Sequence, residues 1–152
     1  MKKQLICALL AASFAAPAAA GDTATLAVSA VVAGTCRFTT GTFNMNFGTL
    51  DPAAAANQTQ NTALSYKCTK NAAATSFSFD GDAASPASVN ITNGTDNIPV
   101  ALSWTMPATQ GSGFGAGSTA ITMTVTGDIL APDYDNVSAG NYTRNVAVVV
   151  AP

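Results

Sequence analysis

Short stretches of two-residue alternation recur along this chain, and they constrain its fold more than any other feature. Ala24, Leu26, Val28, Ala30 and Val32 alternate with Thr25, Ala27, Ser29 and Val31, and Phe43, Met45 and Phe47 alternate with Asn44 and Asn46. The same rhythm sets Phe77 and Phe79 against Ser76 and Ser78, and Ile121, Met123 and Val125 against Ala120, Thr122, Thr124 and Thr126. In the last stretch, Tyr142, Val146, Val148 and Val150 share one side. A period of two places alternate side chains on opposite faces of an extended strand. The stretches are rich in Val, Ile, Thr, Phe and Tyr and are separated by Gly, Asn, Asp and Pro, which is what half-buried sheets and their turns require.

Residues 63–70, 89–93 and 98–105 complete a set of about six core strands behind the N-terminal one, at the spacing of a β-sandwich. The fold class is therefore all-β. The run Asn93-Gly94-Thr95-Asp96-Asn97 predicts a hairpin turn. Residues 43–50 read as a strand or a bulged edge, residues 51–61 as a loop, and residues 107–118, with Gly111, Gly113, Gly115 and Gly117, as a flexible loop. Trp104, the one tryptophan, is expected to pack between two sheets.

Residues 1–20 read as a secretory signal: Lys2 and Lys3, an apolar run over residues 5–16, then Ala18-Ala19-Ala20 before Gly21. That run is about a dozen residues, short of the roughly 20 that span a bilayer, and Cys7 is too early and too poorly flanked for lipid attachment. Cleavage leaves four basic residues against eight aspartates, a net charge of −4, with no basic patch to meet phosphates. Nucleic-acid binding is excluded on that ground. Cleavage also leaves two cysteines, Cys36 and Cys68, in a chain bound for an oxidising compartment, where they are expected to pair. Such a staple stabilises by roughly 3.7 kcal/mol on the chain-entropy model.

The chain has no His, the mature part has no Glu, and it keeps no free Cys, so it lacks the usual acids, bases and nucleophiles of catalysis. No enzyme, cofactor or metal is expected. The pairs Asp80/Asp82 and Asp133/Asp135 read as solvated turn residues in preference to calcium ligands. Two features ask for a different role. Residues 24–32 form an apolar strand at a terminus, where most domains are polar, and residues 148–152 end on a strand with nothing following to cover its neighbour. One sandwich edge is then expected to be left open.

Thr35-Cys36, Phe47-Gly48-Thr49-Leu50-Asp51-Pro52, Leu64-Ser65-Tyr66-Lys67-Cys68 and Ala139-Gly140-Asn141-Tyr142-Thr143 occur in that order ahead of the closing valines. With these elements the chain resembles the spore coat protein U-like domain of archaic chaperone-usher pilus subunits, over essentially the whole mature length. The resemblance implies an incomplete immunoglobulin-like β-sandwich that lacks its last strand. It implies a groove filled first by a periplasmic chaperone and then, at an outer-membrane usher, by the N-terminal extension of another copy or a related subunit. The implied layout is a signal over residues 1–20, a donor-strand extension over 21–34 and a pilin domain over 35–152. The donor, about residues 23–33, presents Leu26, Val28, Ala30 and Val32, and the acceptor is lined partly by Val146, Val148 and Val150. The implied destination is the cell surface, as a pilus that supports attachment or biofilm formation, or secretion. In an isolated chain the donor is expected to fold back into its own sandwich. The competing reading is a non-polymerising adhesin or carbohydrate-binding module with Trp104, Tyr134 and Phe114 as contacts.

Overall fold

The structure is a computed structural model that describes residues 21–54 and 56–152. The expected signal segment lies outside the described residues. Among those described, no helix is long and apolar enough to cross a membrane. The chain divides into two units, Met1–Val31 and Val32–Pro152.

In the first unit, residues 21–31 are exposed and form no strand. Leu26 and Val28 are 85% and 83% exposed, the values of free side chains. The strand expected here is not what the structure has. The alternation is present in the sequence, but a strand needs a hydrogen-bonding partner as well as a pattern.

The second unit is all-β, an immunoglobulin-like sandwich of two antiparallel sheets. Its strands are β1 (Cys36–Phe38), β2 (Gln58–Cys68), β3 (Ser76–Phe79), β4 (Ala87–Thr92), β5 (Asn97–Trp104), β6 (Ile121–Ile129) and β7 (Val148–Ala151). One sheet has the order β1-β2-β6-β5-β4, and the other is the pair β3-β7. On β6 the residues Ile121, Met123, Val125 and Ile129 are buried, and on β5 Ile98, Val100 and Leu102. The outward positions are Thr or other small residues, so each strand has one wet face. Phe77 and Phe79 of β3 close the core from the second sheet, Phe77 edge-on to Tyr66 at 5.2 Å between ring centres. Trp104 packs on Phe79 at 4.6 Å and so bridges the sheets as expected.

Cys36 and Cys68 form a disulfide between paired positions of β1 and β2. Beside it, the glycine-rich loop is fastened: Gly111 donates to the Ala72 carbonyl at 2.7 Å and accepts from the Asn71 N–H at 2.9 Å. A Cβ on Gly111 would run into the Cys68 backbone, so only glycine fits this close approach.

Three element boundaries depart from expectation. Residues 51–61 are not all loop, because a 3-10 turn spans Pro52–Ala54 and β2 begins at Gln58. Residues 43–50 are extended but belong to no strand, and of residues 141–151 only Val148–Ala151 is strand. The last two departures shape the site.

A candidate strand-accepting groove

β1 leaves β2 after Thr39, whose N–H still reaches the Ser65 carbonyl. From there residues 43–50 run extended alongside, touching β2 through the Thr62 hydroxyl, which donates to the Asn44 carbonyl at 2.9 Å. Phe43, Met45, Phe47 and Leu50 turn inward and are half-buried, while Asn44, Asn46 and Gly48 face out. The segment is a rim: its apolar face rests on the core, and its backbone is in no ladder.

The opposite rim is residues 141–148. It is held from outside at three points. Thr143 and Thr92 exchange backbone hydrogen bonds of 3.0 and 3.3 Å. The Asp80 N–H donates to the Ala147 carbonyl while the Asp80 carboxylate accepts from the Ala147 N–H at 2.7 Å. Asp80 also pairs with Arg144. The Ala147 N–H, with the Arg144 guanidinium in support, holds the Asp80 carboxyl below the usual carboxylate range. Asp80 is the exposed turn residue that was expected, and it also clamps this rim. Further along, the Tyr142 hydroxyl donates to the Ser138 carbonyl at 2.7 Å and accepts from the Asn93 amide at 2.9 Å. Hydrogen bonds from Ser138 also hold the Asp96 carboxyl low.

Between the rims lies an apolar groove. Its floor is the inner face of the large sheet, with Leu64 from β2, Val89 and Ile91 from β4, Val100 and Leu102 from β5, and Val125 from β6. Val146 and Val148 line it, and Val150 lies beyond them, paired with Phe77. One hollow, about 170 Å³, is bounded by Phe43 and Val148. A neighbouring hollow, about 730 Å³, runs on to Leu50 and Tyr142. Among the described residues, the edge of β7 away from β3 has no partner strand. Sequence reasoning missed Phe43, Met45 and Phe47 as groove residues, although their alternation was visible, and it missed Arg144.

The alternative contacts fare differently. Tyr134 is buried and its hydroxyl donates to the Ala56 carbonyl, so it presents no surface to a sugar. Trp104 is spent on Phe79, and Phe114 is half exposed. Among the described residues no group of three or more His, Cys, Asp or Glu is placed to hold a metal ion.

Fold and groove together define a two-sheet immunoglobulin-like sandwich left open along one apolar cleft. The family model described as Spore Coat Protein U domain matches residues 22–149, and the chain belongs to that family. Its members are structural proteins associated with chaperone-usher pilus-type surface structures, not enzymes. No curated protein and no solved structure matches the chain.

Proposed function

We propose that this chain is a structural subunit of a chaperone-usher pilus, in which residues 23–33 of one copy fill the groove of the next. The observation that carries the reading is the groove itself, an apolar floor between two extended rims, of which residues 43–50 belong to no ladder. The exposed alternation of residues 24–32 supplies a segment of matching character. The donor stretch carries no charge, and the one charged residue lining the smaller hollow, Arg144, is already paired with Asp80.

Each Val or Leu buried in the groove contributes about 1.5–3 kcal/mol, and each new backbone hydrogen bond about 0.5–1.5 kcal/mol. Several of each would hold a joint. Donor and acceptor lie on different copies, so the contact is heterologous and propagates as an open fibre. Before assembly an apolar groove of this kind needs cover against aggregation, which is the part of a periplasmic chaperone, with an outer-membrane usher as the site of exchange. Such a fibre serves attachment to surfaces or biofilm formation.

The test is size-exclusion chromatography and electron microscopy of residues 21–152 and of a form lacking residues 21–33. Ladders or fibres from the first and none from the second are expected. Stable monomers from both, without a chaperone, would overturn the reading.

A further inference from the structure

The groove is interrupted at one point. All but one of the inward positions on β6 carry a large apolar side chain, namely Ile121, Met123, Val125 and Ile129; the exception is Gly127, also buried. A Cβ built on Gly127 would fall on the Met45 sulfur and come within 3.0 Å of the Phe47 ring. Met45 and Phe47 line both hollows, so they form a ridge across the groove, seated where β6 lacks a side chain.

We propose that this ridge sets the register of the incoming strand, with Ala30 of a second copy lying over Met45 and Gly127. The inference rests on the strand-donation reading above and adds to it which residue goes where. A strand places same-face side chains roughly 6.6 Å apart, so the side chain crossing the ridge must be small and its same-face neighbours large enough to fill the hollows. In the series Ala24, Leu26, Val28, Ala30, Val32, two members are small. Ala30 has large apolar neighbours on both sides, Val28 and Val32. Ala24 has one, Leu26, with Asp22 on its other side. Only Ala30 on the ridge places a large apolar side chain toward each hollow, and it does so whichever direction the strand runs. With Ala30 over Met45, residues 26–32 of an antiparallel strand lie along residues 49–43 of the rim. Met45 and Ala30 are then a specificity pair, and a donor with a bulky residue in place of Ala30 is refused.

The test uses a form lacking residues 21–33, which keeps nearly all of the compact unit Val32–Pro152 and has no donor of its own, and fluorescein-labelled peptides of residues 22–34, with binding read by fluorescence anisotropy. The wild-type peptide and the Ala24→Leu peptide are expected to bind alike. The Ala30→Leu peptide is expected to bind at least about tenfold more weakly, as overpacking of a fitted apolar site predicts. Met45→Ala in the acceptor, or Met45→Val should that variant fold poorly, is expected to bring the Ala30→Leu peptide back to within about threefold of wild type. Equal binding of the Ala30→Leu peptide, a loss caused by Ala24→Leu instead, or no recovery in either Met45 variant overturns the register while strand donation stands. Failure of the wild-type peptide to bind any of these acceptors overturns strand donation, and the register with it.

Discussion

Single side chains carry much of what is specific here. The Tyr66 hydroxyl is fully buried on β2 and meets no hydrogen-bond partner among the described residues, and burial pushes its pKa up. A buried polar group without a partner costs more than an apolar group of the same shape, so Tyr66→Phe is expected to raise stability by about 1 kcal/mol, measured by urea unfolding. Gly111 is the reverse case. Gly111→Ala drives a methyl group into the Cys68 backbone and is expected to cost about 2 kcal/mol or more in the same assay. Asp80 gives a pH-dependent signature. Its folded pKa is depressed, so its contribution is complete above the unfolded value of about 3.9 and is lost as pH falls through the lower folded value. Asp80→Asn is therefore expected to be less stable than wild type at pH 7 and to converge with it in strong acid. Matched thermal melts across that range check the sign.

Among the elements, alternation revealed which stretches have a buried face and was silent on which have a hydrogen-bonded edge. Within the alternating stretches 75–80, 119–127 and 141–151, residues 76–79, 121–127 and 148–151 satisfy both conditions and are strands. Residues 43–50 bury Phe43, Met45 and Phe47 with the right period yet have no ladder, so the same pattern marks a rim in place of a strand. The first half of β2, Gln58 to Thr62, failed in the other direction. It has no apolar residue to signal a strand, yet it pairs along its length with β6, Gln58 opposite Ile129 and Thr62 opposite Val125. Pairing there is dictated by the neighbour. The contact of Met45 with Gly127 was illegible for the same reason, since neither residue announces the other until the sheet is built. Hydrogen exchange separates the two kinds of element. Amides of β2, β5 and β6 are expected to exchange slowly and those of residues 24–32 and 43–50 quickly, and residues 43–50 are expected to become protected when the donor peptide of residues 22–34 is added.

At the scale of the whole molecule, the fold class, the disulfide and the family were all legible from composition, cysteine arithmetic and a few ordered motifs. The groove was legible only as an expectation attached to the family, because an unfilled cleft is a property of two distant rims and a floor drawn from four strands. The disulfide closes a sequence separation of 32 residues. The variant carrying both Cys36→Ala and Cys68→Ala is expected to lose about 2–4 kcal/mol of stability, read as a lower urea midpoint with the β-sheet circular dichroism retained at low denaturant.

That same bond has a mechanical side. The Thr69 hydroxyl holds the Ala33 and Thr35 carbonyls, the Thr69 N–H reaches the Thr35 carbonyl at 2.9 Å, and Cys36 follows at once, covalently joined to the neighbouring Cys68. A pull applied to the chain before residue 33 therefore arrives at a covalent rivet after two or three hydrogen bonds. Tension cannot peel β1 from β2 one bond at a time. It is passed on through the Cys68 sulfur to β2, which is paired along its length with β6.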